Sequence, residues 1–135
     1  MTCLFLVFTT IAISGCTETS PEEHAAELVN VISEELNLTE TQINHLEKIK
    51  QQLFALKEAE ETQKNQAKKN IIALMEQPTF DRESSQKITN DYIGSLVQHV
   101  PTLAEAFGNF YDSLNATQRK ELAMYVNKNL AIEQK

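Results

Sequence analysis

Beyond residue 20 the apolar residues recur at helical spacing. Ala25, Leu28, Val29, Ile32 and Leu36 stand at i, i+3, i+4, i+7 and i+11, one stripe that predicts a helix from about Pro21 to Leu36. Counting about 100° per residue from Ile43, Leu46, Ile49, Leu53, Phe54 and Leu56 fall in one broad sector; Ala67, Ile71, Ile72, Leu74 and Met75 return to it. The shared phase predicts one uninterrupted helix from 39 to about 76, about 55 Å long. An alternative breaks it near Thr62 to Gln66 into a hairpin, giving a compact bundle. A third helix follows Phe80-Asp81, with Asp81 as N-cap, and carries Ile88, Tyr92, Ile93, Leu96, Val97 and Val100. Pro101 lacks a backbone donor and kinks or restarts it. Leu103, Phe107, Phe110 and Leu114 continue the stripe, with Tyr111 beside it as part of an aromatic cluster expected in the core. A last helix, Ala116 to about Ala131, uses Leu122, Tyr125, Val126 and Leu130.

Helix breakers are few. Residues 22 to 77 contain neither Gly nor Pro, and no alternating β-branched and aromatic run follows residue 16. The expected fold is therefore all-α, an elongated helical hairpin of four to five helices. A stripe this long exceeds what a small chain can cover, so a second copy is its natural cover. In the middle, Lys57, Glu60, Glu61 and Lys64 occupy stripe positions, which opens that stretch to water or a partner.

The first residues read differently. Residues 3 to 13, CLFLVFTTIAI, are too short to span a bilayer, which needs about twenty apolar residues, and read as a secretory h-region. They run into Ile13-Ser14-Gly15-Cys16, which resembles the bacterial lipobox, although no Lys or Arg precedes it. On that reading residues 1–15 are a lipoprotein signal peptide, Cys16 is lipidated, residues 16–21 are a linker and residues 22–135 one all-α domain. The other reading is an ordinary signal peptide with an incidental cysteine. Cys3 and Cys16 are the only cysteines, so the mature lipoprotein would have no disulfide. Thr17 rather than Asp after Cys16 favours the outer membrane, on the periplasmic face of the bacterial envelope.

A formal charge of −7 argues against a nucleic-acid partner. It is unevenly spread. Cys16 to Glu47 holds eight carboxylates and no Lys or Arg, whereas Lys48 to Lys69 holds six lysines against Glu58, Glu60 and Glu61. Either an acidic helix lies beside a basic one with solvated charges, or the basic stretch meets an acidic or unfolded partner.

Two helix starts are alike. In NLTETQIN, residues 37 to 44, Thr39 and Gln42 can form a capping box while Leu38 and Ile43 form a hydrophobic staple. In SLNATQRK, residues 113 to 120, Asn115 and Gln118 repeat the box 76 residues later, with Arg119 where the staple would be. Leu38-Thr39-Glu40-Thr41-Gln42 matches the LTxxQ motif of the Spy/CpxP family, and Leu114-Asn115-Ala116-Thr117-Gln118 looks like its second copy with Asn for Thr. EQPTFDRES and FGNFYDSLNATQRKEL resemble the same family, so the likeness covers about residues 36 to 128. It implies an antiparallel, cradle-shaped helical homodimer in the periplasm: an ATP-independent chaperone for unfolded or stressed envelope proteins, or a regulator of an envelope-stress or metal-responsive sensor kinase. The acidic charge and the lipid anchor depart from the basic, soluble family chaperones.

For client binding, Lys50, Leu53, Phe54, Lys57 and Lys64 set flexible cations beside apolar surface. Alternatively, Leu53 and Phe54 are dimer core and the lysines are solvated. His24, His45 and His99, with Glu23 or Glu47, are the conceivable metal ligands, but no pair has i, i+4 spacing, so no metal site is expected. Scattered glycines form no phosphate-cradling loop, and no nucleophile stands in a recognisable setting. The chain is read as a binding protein without cofactor, not an enzyme.

Overall fold

The computed structural model describes residues 20–129, which form five helices and no strand: α1 (Pro21–Glu35), α2 (Glu40–Met75), α3 (Arg82–Val97), α4 (Val100–Ser113) and α5 (Ala116–Asn129). The expected signal peptide, Cys16 and the expected end of the last helix at Leu130 and Ala131 lie outside the described residues. The all-α expectation holds.

α2 is a single helix of 36 residues, about 54 Å long. Nothing interrupts it at Thr62 to Gln66, where the Gln66 amide donates to Asn70 Oδ1 at 3.0 Å, one turn on. After a reversal across residues 76–81, α3 and α4 return along α2, and α1 packs on α2 from the other end. α3 stops where Pro101 withholds a donor. The Gln98 and His99 N–H groups turn back to the Gly94 and Leu96 carbonyls at 3.3 and 3.1 Å, and α4 restarts with Leu103 N–H bonded to the His99 carbonyl. The inward ridge survives the break: Ile88, Tyr92, Leu96, His99, Leu103, Phe110 and Leu114 are all at least half-buried.

Packing is concentrated at one end. Val29, Leu36, Leu46, Ile49, Phe110 and Leu114 form the buried core, backed by Ile32, Leu38, Ile43, Leu103, Ala106 and Leu122. These residues lie where the α1–α2 and α4–α5 corners meet. Six buried apolar residues among those described are few for a chain of this size, and α3 contributes none.

Two expectations about α2 hold and one about the aromatic cluster is corrected. The α2 stripe keeps its phase and, as expected of a stripe too long for a small chain to cover, Leu53, Ile71, Ile72 and Met75 are exposed, because among the described residues the helix extends beyond the corner where three helices converge. In the middle the line packed toward α3 is Leu56, Ala59, Gln63, Ala67 and Leu74, all half-buried, while Lys57, Glu60, Glu61 and Lys64 are exposed on another side. Small Ala side chains let the neighbouring helix come close, so the seam runs there without charge. Finally, of the aromatic cluster expected in the core, only Phe110 is buried; Phe107 and Tyr111 are about half exposed.

Asp81 caps α3 as expected, accepting from Ser84 N–H at 3.1 Å and from Ser84 Oγ at 2.6 Å. The Ser84 hydroxyl, then the Ser84 amide, stabilise the carboxylate and hold its pKa below the ordinary 3.8. A depressed folded-state value means that the cap's contribution is complete above the ordinary value and is lost as pH falls through the lowered one. Hydrogen exchange at the Ser84 amide should therefore stay slow through the ordinary carboxylate range and quicken only below it. In Asp81→Ala it should be fast at every pH.

Candidate functional site

The paired motifs build the end of the molecule that holds the core. α1 terminates in a Schellman arrangement: Asn37 takes a left-handed φ of 49°, its N–H donates to the Glu34 carbonyl at 3.2 Å, and Leu38 N–H reaches the Ser33 carbonyl at 3.0 Å. Asn is among the few side chains that tolerate this backbone. Thr39 follows at once as cap of α2, and both predicted capping boxes form. Thr39 N–H donates to Gln42 Oε1 at 2.9 Å and Gln42 N–H to Thr39 Oγ1 at 3.3 Å. Asn115 N–H donates to Gln118 Oε1 at 3.0 Å and Gln118 N–H to Asn115 Oδ1 at 2.9 Å. Leu38 and Ile43, the expected staple, both pack against the core.

Local reasoning gives the glutamines a capping role only; the structure brings the two side chains together. Gln42 Nε2 donates to Gln118 Oε1 at 2.9 Å, and Gln118 Nε2 donates to Gln42 Oε1 at 3.1 Å. The second proton of each amide goes to backbone just before the other motif's cap. Gln42 reaches the Ser113 carbonyl at 2.7 Å, and Gln118 reaches those of Leu36 and Asn37 at 3.2 and 3.4 Å. Each amide oxygen accepts twice and each nitrogen donates at least twice, so both side chains, buried to 7% and 6% exposure, are saturated. The amide orientation is decided locally, since only Oε1 can accept from a cap N–H. That choice aims each Nε2 at the other oxygen.

Where the second motif lacks a staple, Arg119 supplies a different link. Its guanidinium lies 4.8 Å from the Tyr111 ring centroid and donates to the Tyr111 and Asp112 carbonyls at 3.3 and 3.4 Å. A cation thus sits on the negative end of α4 and over an aromatic face.

Beside this core opens a cleft of about 340 Å³ between α1, α2 and α4. Its walls are apolar: Leu28 from α1, Leu53 and Phe54 from α2, Phe107 from α4, with the stems of Lys50 and Lys57 along one rim. Lys50 also pairs with Glu47 at 2.6 Å. Four of the five residues expected to hold clients therefore line one cleft. Lys64 does not; it lies two turns further along α2 from Lys57 and is exposed. Phe107 and Leu28 were not singled out in sequence for this surface, because the stripe they belong to reads as core until the helices are assembled. His24 is exposed, His45 and His99 are half-buried, and among the described residues no group of three His, Cys, Asp or Glu side chains is gathered to hold a metal. What the cleft offers is apolar contact and two ammonium groups.

The amide pair makes a measurable claim. Gln42→Leu or Gln118→Leu should each cost roughly 2–3 kcal/mol in urea unfolding, because the surviving amide is left partly unpaired in an apolar setting. The double replacement should cost less than the two single losses combined, with a coupling of about 1–2 kcal/mol. Strict additivity would mean that the two glutamines act as separate caps.

A family model described as "LTXXQ motif family protein" matches residues 25–124, a span that contains both capping boxes, the whole of α2 and the cleft. No match to a curated protein or to a solved structure was found. With most of its length matched, both glutamine motifs in place and an all-helical architecture, the chain belongs to the LTXXQ motif family, the family of Spy and CpxP.

Proposed function

We propose that the protein is an ATP-independent, chaperone-like binding protein of the bacterial periplasm that holds unfolded or stressed envelope proteins in the cleft between α1, α2 and α4. The observation that carries this reading is the cleft itself. Leu28, Leu53 and Phe107 keep 40%, 46% and 48% of their surface exposed around an apolar floor, beside the exposed Lys57 and the Glu47-paired Lys50. Such a surface grips many extended apolar segments weakly, and the lysines contact backbone carbonyls or acidic side chains without demanding one sequence. No nucleophile, metal cluster or phosphate cradle is needed for that task, so the protein is read as a binder and not an enzyme. Lipidation of Cys16 would keep captured segments at the membrane, on the periplasmic face of the outer membrane. A second copy, paired antiparallel, would extend the cleft into a cradle.

A second reading is favoured by α1, where Glu22, Glu23, Glu27, Glu34 and Glu35 are exposed with no Lys or Arg among them. A face of one sign suits a single basic docking partner, such as the sensory domain of an envelope-stress or metal-responsive kinase.

Light scattering of two unrelated clients during heat or dilution aggregation separates these readings. The chaperone reading expects both clients to be protected at near-equimolar protein, and protection to fall severalfold in Leu53→Glu with Lys57→Glu at unchanged helicity. Lys64→Glu should matter less, since Lys64 is outside the cleft. Protection of neither client, with saturable binding to one sensor domain, would favour the regulator.

A further inference from the structure

The far end of α2 carries a surface that neither the amide pair nor the cleft uses. Between Thr62 and Met75 the helix has Lys64, Lys68 and Lys69 and no carboxylate, in a chain of net charge −7. Lys64, Lys68, Ile71, Ile72 and Met75 share one side of the helix, turned away from the Ala59, Gln63, Ala67 and Leu74 seam with α3. All five are exposed, with Ile71 at 42%, Ile72 at 49% and Met75 at 78%, and Phe80 follows in the turn at 64%. None of the described helices covers them.

Three features narrow the occupant. Bulky apolar side chains flanked by lysines on one helical side suit insertion at a headgroup boundary, where the lysine stems follow the apolar residues inward and the ammonium groups stay among anions. An isologous second copy, centred on this same face, would set lysines against lysines. The rest of the molecule is acidic, with exposed glutamates along α1 at the opposite end, so an anionic surface is repelled there and attracted here. The carboxylates near the patch, Glu76, Asp81 and Glu83, cluster at the turn with Arg82, while on α3 Lys87 is paired with Asp91.

We propose that the distal face of α2, formed by Lys64, Lys68, Ile71, Ile72 and Met75 and continued by Phe80, docks on an anionic phospholipid surface and lays the long helix along the membrane. This contact is separate from whatever the cleft holds and from any lipid on Cys16.

The test uses the chain from residue 16 onward, without the expected signal peptide and with Cys16→Ser, carrying one environment-sensitive fluorophore at Met75→Cys or, as the reference position, at Met124→Cys on α5. Vesicles rich in phosphatidylglycerol should shift the emission of the position 75 probe to the blue, phosphatidylcholine vesicles should shift it little, and the probe at position 124 should respond to neither. Each lysine close to an anionic bilayer adds roughly fivefold to partitioning, so Lys64→Gln and Lys68→Gln together should lower it by about twenty-five-fold. Equal responses at both positions, or no preference for phosphatidylglycerol, would overturn the proposal. So would a blue shift at position 75 that grows with protein concentration and needs no vesicles, which would assign the face to a second copy.

Discussion

A primary amide buried in an apolar environment must have both its donors and its acceptor occupied, and this fold is arranged around satisfying two such amides at once. Gln42 and Gln118 lie 76 residues apart, yet each completes the other's hydrogen bonding, and each also closes its own helix cap. Neither can be satisfied unless the α1–α2 corner meets the α4–α5 corner in one register. A misaligned pairing would strand several polar atoms out of water, at roughly 1–3 kcal/mol each. Hydrophobic contacts among Leu36, Leu46, Phe110 and Leu114 supply attraction between the corners, but attraction of that kind has little directional preference. The glutamines supply the direction.

Because this closure is local to one end, the rest of the hairpin is left thin. α3 buries nothing fully, the α2 seam toward it is lined by Ala59, Gln63 and Ala67, and large apolar side chains stay in solvent along both helices. A single layer of two antiparallel helices has no third element to cover a second face. The same economy of core that leaves the hairpin thin also leaves it with surface to offer, and under the proposed function that surface would be the working part. Rigidity at the corner and exposure along the arm thus follow from one distribution of packing.

Much of this was legible beforehand, for identifiable reasons. The helices, the length of α2, the Asp81 cap and the two capping boxes are set by contacts within about four residues, which sequence spacing reports directly. The gathering of Lys50, Leu53, Phe54 and Lys57 was legible because they share one helical sector. Lys64 belongs to that sector too, but it is displaced along the helix axis, a coordinate that periodicity does not carry. The aromatic cluster misled for a similar cause: Phe107 and Phe110 are close in sequence and both apolar, and only the position of α2 decides which of them is covered.

By itself, then, the amino-acid order determined the helical class, where helices begin and end, the membership in a motif family and the placement of charge, since these depend on short-range hydrogen bonding, propensity and composition. Tertiary structure alone decided that two caps separated by most of the chain share their amides, that Arg119 stacks on Tyr111 in place of a staple, and which side of each apolar stripe is sealed. Those outcomes depend on which distant segments come to lie against one another, and a polar side chain such as Gln42 looks the same in sequence whether its second partner is water or another glutamine.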